Sequence, residues 1–326
     1  MGLFDEQISR KPDNYPWAKD FIHAFWSTQW TPNEFNFKAD YGQYKTEMTD
    51  QERQIVARTL SCIGQVEIAV KTFWAKLGDN LPHPSISDLG YTMANSEVVH
   101  NLAYEKLLDV LQMGHVFEEN LKEPVVKGRV EYLRKHNKKV YSNNRKQYIY
   151  SIILFTLFVE NVSLFSQFYT ILWFNRFKNL LKDTAQQVAY TRLEEDSHSK
   201  VGITIINTLR QEYPEMFDEE LITKITQEIQ EAFKAESKLI DWMIGDYSHD
   251  NLSADILKEY IKDRMNESLL AIGFESPFEV DKEIIKLTNW TREEQYGYNN
   301  QDFFVNKPVY YSKNDKTYNE DDLFDD

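Results

Sequence analysis

Apolar positions recur at three- and four-residue intervals through most of the chain, the period of an amphipathic helix rather than of a strand. The spacing predicts a long helix from Thr49 to about Leu77. Thr49-Asp50-Gln51-Glu52 has the form of a capping box at its start. Gly78-Asp79-Asn80-Leu81-Pro82 marks its end. Further helices are predicted over about 86–113, 118–138 (despite Pro124), 144–176 and 183–212, with two or three more reaching about residue 272. Residues 1–48 are mixed, rich in Trp and Phe, and broken by Pro12, Pro16 and Pro32. From Asn299 onward the periodicity fades, and the last residues, YYSKNDKTYNEDDLFDD, read as an acidic mobile tail. No solenoid repeat and no Gly/Ser linker occurs. The expected organisation is an all-α domain over 1–298 followed by a flexible tail over 299–326.

One segment departs from the amphipathic pattern. Between Gln147 and Asn175 the only charged residue is Glu160. Length and apolarity admit a membrane span, but scattered Tyr, Ser, Thr, Asn and Gln favour a helix buried on all sides of a bundle. In either setting a carboxylate sits at the centre of an apolar helix. It must be protonated, paired or metal-bound, because burying a lone carboxylate anion is very costly.

Composition agrees with long helices. The chain has 326 residues with 11 Gly and 9 Pro, about half of ordinary usage. No proline occurs from Asn33 to Leu81, from Val125 to Tyr213 or from Glu215 to Ser276. No glycine-rich phosphate-binding motif is present. A net charge of −15 argues against a general nucleic-acid or anionic-membrane binder. A single cysteine, Cys62, excludes an intrachain disulfide and any multi-cysteine metal site. The N-terminus lacks an apolar signal region, so a cytoplasmic setting is the default expectation.

Candidate chemistry follows from two Glu-x-x-His pairs, Glu97/His100 and Glu195/His198. Three helical steps put both side chains of each pair on one face, where they can share an ion. One such pair alone is a weak signal, since a surface Glu/His couple has the same form. The other two long helices carry Glu67, on an apolar face, and Glu160. The order along the chain is Glu, Glu-x-x-His, Glu, Glu-x-x-His. The di-metal carboxylate sites of ferritin-like four-helix bundles have this arrangement. Four carboxylates offset the charge of two divalent ions, and oxygen-rich ligation with two imidazoles suits Fe or Mn. The competing reading is four unrelated buried glutamates paired with Lys or Arg. The remaining histidines, His23, His83, His115, His136 and His249, read as structural.

With those residues in place, the chain resembles the small, radical-generating (beta) subunit of class I ribonucleotide reductase, from about Trp30 to the tail. The likeness includes Glu97-x-x-His100-x-x-x-Tyr104, whose tyrosine holds a stable radical in many members. The resemblance implies Glu67, Glu97, His100, Glu160, Glu195 and His198 as metal ligands. It makes Trp30 a near-site tryptophan and Glu194 the acidic residue linking it to His100. It also implies a homodimer, and a C-terminal tail that docks on a large catalytic alpha subunit. Tyr310, Tyr311 and Tyr318 are the redox candidates in that tail, and Leu323 and Phe324 the apolar anchors. Neither nucleic acid nor membrane is an expected partner.

Glu67 departs from the aspartate of the commonest di-iron members. With Lys71 one turn on, it resembles the class Id branch, whose dimanganese centre is activated with superoxide. Two Mn ions per chain are therefore expected, with two Fe or Mn/Fe as alternatives. In that branch Tyr104 is a buried hydrogen-bonding tyrosine rather than the radical store. Lys71 either attracts an anionic oxidant or pairs with a neighbouring carboxylate. Phe158, Leu164 and Phe168, next to or within two turns of Glu160, are expected to line a dry core around it. A ferritin-like di-metal oxidase acting on its own substrate, or a storage protein, are the competing functions.

Overall fold

The structure is a computed structural model that describes residues 2–129, 131 and 144–294, apart from the side chains of residues 65–70. The chain divides into two units, Met1–Leu287 and Thr288–Asp326.

The main helices are α1 (Trp17–Thr28), α2 (Lys38–Thr46), α3 (Asp50–Ala75), α4 (Pro84–Val110), α5 (Arg145–Leu154), α6 (Phe165–Lys178), α7 (Lys182–Glu212), α8 (Glu219–Ile244) and α9 (Ala254–Ala271). No strand occurs among the described residues; His249 and Leu252 form an isolated bridge. Four long rods make the core: α3, α4, the apolar run from Arg145 to Lys178, and α7. Along the core α3 packs on α4, and α7 on the apolar run, while α1 lies across α4.

Local chemistry accounts for the ends of these rods. Thr49 and Glu52 form the expected capping box of α3. Pro84 opens α4 at a first-turn position where no N–H is needed, and His83 Nδ1 accepts from Ser85 N at 3.2 Å. The start of α7 is capped from a distance. Asp40, fully buried on α2, accepts from Asp183 N at 3.3 Å and from Thr184 N and Thr184 Oγ1 at 2.7 Å each. Gly202 lets α7 approach the apolar run, since a Cβ there would collide with the Thr156 side chain.

Two expectations are corrected. The helix expected over 118–138 is instead a short helix, Gly114–Asn120, then a turn, then helix beginning at residue 124. Pro124 starts a helix rather than interrupting one, because its missing N–H and fixed φ suit a first position. The helix expected without a break over 144–176 contains a π-helical stretch, Phe155–Ser163, between α5 and α6. The apolar run of 34 residues is 94% buried over its most apolar window. Other rods cover it, as a core helix requires.

Candidate metal centre

Among the described residues, three of the four rods deliver carboxylates to one point. Glu97 and His100 come from α4, Glu160 from the π stretch, and Glu194, Glu195 and His198 from α7. All but Glu194 are buried to 1% exposure or less. Ligand atoms of Glu97, Glu160, Glu195 and His198 lie within 4.8 Å of one another. His198 Nδ1 is 3.0 Å from Glu97 Oε1, 3.5 Å from Glu195 Oε2 and 3.6 Å from Glu160 Oε2. His100 Nδ1 is 3.3 Å from both Glu97 Oε2 and Glu195 Oε1. Both imidazoles thus turn Nδ1 toward the carboxylates. The π stretch places a widened turn where Glu160 projects; such irregularities recur at functional sites.

The outer arm is formed as expected. His100 Nε2 lies 2.6 Å from Glu194 Oε2, and the same oxygen accepts from Trp30 Nε1 at 2.8 Å. The Trp30 ring stacks on His100 with centroids 6.0 Å apart. A carboxylate on the far nitrogen orients the imidazole and holds its tautomer. Phe25, Trp30, Tyr91, Asn95 and Glu194 help line a cavity of about 360 Å³ beside this arm.

The electrostatics of the cluster call for cations. Among the described residues, both oxygens of Glu97, both of Glu195 and Oε2 of Glu160 lack a hydrogen-bond partner of good geometry. Burial, then the charge of Glu195, pushes the Glu160 carboxyl well above its usual range. Burial also acts to raise Glu97 and Glu195, but the surrounding groups, both imidazoles among them, outweigh it and hold each below the usual range. His198 rises well above an ordinary imidazole. Burial opposes this, and Glu97, Glu160 and Glu195 overcome it. A donor set of three carboxylates and two imidazoles fits Fe or Mn better than Cu or a thiolate zinc site.

The remaining expected residues are placed as follows. Tyr104, buried on α4, donates to Thr191 Oγ1 on α7 at 3.3 Å. Lys71 is partly buried on α3, and no hydrogen bond or ion pair joins it to the cluster among the described residues. Phe158, Leu164 and Phe168 are buried. The Glu67 side chain, His136 and the tail residues Tyr310, Tyr311, Tyr318, Leu323 and Phe324 lie outside the described residues. His83 caps α4, His115 is exposed, His23 lies beside Trp26, and His249 packs on Trp173.

Sequence reasoning missed Trp74, whose Nε1 donates to Glu160 Oε1 at 2.6 Å. A signal existed: Trp74 is seven residues after Glu67, two turns along the same face of α3.

Comparison with known proteins places the chain in a family. Residues 7–284 match the family of the ribonucleotide reductase small chain. The ribonucleoside-diphosphate reductase subunit beta of Halalkalibacterium halodurans is 24% identical over 306 residues, covering 92% of this chain and 86% of that protein. In fold, the chain is similar to the ribonucleotide reductase R2 subunit from Clostridium botulinum. The TM-score is 0.81 at 18% identity, over 89% of this chain and 93% of that one. It is also similar to dimanganese(II)-NrdF of Streptococcus sanguinis, with a TM-score of 0.72 at 13% identity over 87% and 99% of the two chains. The bundle is therefore of the ferritin-like type seen in these subunits, and the chain belongs to the small-subunit family of class I ribonucleotide reductase.

Proposed function

We propose that this chain holds a dinuclear metal centre, manganese in the first instance. It delivers a one-electron oxidation to a large alpha subunit, which reduces ribonucleotides to deoxyribonucleotides. The observation that carries this reading is the set of buried oxygens on Glu97, Glu160 and Glu195 that converge on two imidazoles and, among the described residues, meet no Lys or Arg. Glu97, His100, Glu160, Glu195 and His198 would hold the ions, with Glu67 as the sixth ligand proposed from sequence. Glu67 favours manganese, and dimanganese(II)-NrdF of Streptococcus sanguinis shares the fold; two Fe or Mn/Fe is the alternative. When bound, the ions supply the oxidising power.

The chain's own residues shelter and export it. Phe158, Leu164 and Phe168 keep water from the apolar run. Glu194 Oε2 stands 2.8 Å from the indole N–H of Trp30, so it can take that proton as an electron leaves the ring. Trp30 is thus the exit residue. Tyr310, Tyr311 or Tyr318 carries the relay onward in a tail anchored by Leu323 and Phe324. Lys71 attracts an anionic oxidant toward the bundle. Tyr104, held by Thr191, does not store the radical. The working form is a homodimer bound to the large subunit.

Purified protein should carry about two Mn or Fe per chain. Mixing it with a large reductase subunit should yield deoxyribonucleotides. A chain without metal affinity, or a mixture without turnover, overturns the reading. Trp30→Phe should keep the metals and lose turnover, as should truncation after Gln301. Electron paramagnetic resonance separates the cofactors: a multi-line manganese signal supports the dimanganese form, and a tyrosyl doublet lost in Tyr104→Phe refutes it.

A further inference from the structure

The π stretch is fastened, just after Glu160, by side chains outside the carboxylate cluster. Asn161 is gripped by α9 at three atoms. Arg264 Nε donates to Asn161 O at 2.8 Å, and Arg264 Nη2 donates to Asn161 Oδ1 at 2.5 Å. Asn161 Nδ2 donates to Ser268 Oγ at 2.5 Å, and Ser268 is fully buried. The Arg264 guanidinium lies over the Phe165 ring, 3.3 Å from its centroid, which fixes the plane of the fork. Two residues on, Ser163 O accepts from Arg129 Nη2, and Ser163 Oγ donates to Glu236 Oε1 at 3.2 Å.

Backbone bonding explains why a π stretch calls for such donors. A π turn joins each carbonyl to the N–H five residues on, and an α turn to the N–H four on. Where π returns to α, one carbonyl is skipped and must find a donor elsewhere. The return falls here: the π stretch ends at Ser163, and Leu164 O already accepts from Phe168 N in the α manner at 2.9 Å. The carbonyls of Asn161 and Ser163, just before it, each meet a guanidinium. Closing the widened turn into α spacing would shift the phase of the helix by about 100° for one residue. Glu160 could not then keep its place while α5 and α6 kept theirs.

We infer that Arg264, Asn161 and Ser268 are positioning residues for the metal centre: α9 sets the Glu160 carboxylate by clasping the residue that follows it. The clasp complements Trp74, which holds Glu160 Oε1 directly and leaves Oε2 for an ion. An arginine suits the task because two of its N–H groups reach the backbone and side-chain oxygens of one residue together, which an ammonium cannot do. The inference rests on the metal reading of the cluster.

Titration of the metal-free full chain with Mn(II), with free Mn(II) followed by electron paramagnetic resonance, tests it. Asn161→Ala removes Oδ1 and Nδ2 but keeps the backbone carbonyl and Arg264. It should weaken binding of at least one ion about tenfold or more. Arg264→Met should do the same, and the double variant should be no weaker than the weaker single, because the pair acts as one clasp. Arg264→Lys should fall between Arg264→Met and the unaltered chain. Lys262→Met, elsewhere on α9 and paired with Glu259 at 2.6 Å, should bind as the unaltered chain does. Variants that melt lower but bind Mn(II) with unchanged affinity overturn the inference. A crystal structure of metal-free Asn161→Ala supplies a readout that needs no metal. The Glu160 carboxylate should be displaced and its bond to Trp74 lost; an unmoved carboxylate also overturns the inference. An unaltered chain that binds neither Mn(II) nor Fe(II) defeats the metal reading instead, and the same crystal structure still decides the clasp.

Discussion

Helix α7 carries buried carboxylate chemistry at two levels, and the two are solved in opposite ways. At its N-terminus Asp40 is fully buried, and each of its oxygens accepts from α7: Asp183 N, Thr184 N and Thr184 Oγ1. Three turns further on, Glu194 and Glu195 join Glu97 and Glu160, and among the described residues most of the inner oxygens have no hydrogen-bond donor of good geometry. Glu52 and Glu236, also buried, are each met by a cation of the chain itself. Glu52 pairs with Lys178 at 2.8 Å, and Glu236 with Arg129 at 3.4 Å and Ser163 Oγ at 3.2 Å. A carboxylate that serves the fold is neutralised by the fold. One left without an internal cation is arranged for a cation from outside.

Experiments can break or sharpen that contrast. The largest effect should come from the cluster. Chelation should lower the melting temperature of the loaded protein by several degrees or more, since ions that bind only the folded state stabilise it by mass action. Glu160→Gln should cut metal content below half of that in the unaltered chain. Yet the metal-free variant should melt no lower than metal-free unaltered protein, because burial already pushes the Glu160 carboxyl toward its neutral form and an amide is neutral too. A clear loss of stability in that apo comparison would place Glu160 among the structural carboxylates.

Arg129→Met should come next, costing about 3–5 kcal/mol in denaturant unfolding by stranding Glu236. Burial already holds the Glu236 carboxyl above its usual range, against the pull of Arg129. The loss should therefore shrink as pH falls and Glu236 takes up a proton; a pH-independent loss contradicts the pairing. Asp40→Ala should cost about 1–2 kcal/mol through the uncapped start of α7, with metal content retained. Tyr104→Phe should cost least, about 1 kcal/mol for its bond to Thr191, and should leave a manganese resonance signal in place.

Much of this was legible along the chain. The capping box at Thr49, the absence of proline from long stretches, and the two Glu-x-x-His pairs are local facts, and helices express local spacing directly. Glu160 stood out because a single charge in an apolar run has few physical explanations. Pro124 misled because proline breaks a helix in the middle and suits its first turn, and only the turn before it shows which applies. The π stretch escaped because its residues are as apolar as the α-helical ones on either side.

Trp74 escaped for a different reason. Its indole is ordinary core until Glu160, 86 positions later, is set 2.6 Å away. The same holds for Arg129 and Glu236, and for Asp40 with Thr184. Periodicity, caps and motif spacing by themselves determined an all-helical chain with its ligand-type residues on separate long helices. The tertiary structure decided which carboxylates receive an internal partner and which are left to a metal. Pairing between distant residues depends on how whole rods pack, and a buried charge is stable only when that packing brings it an opposite charge or a donor.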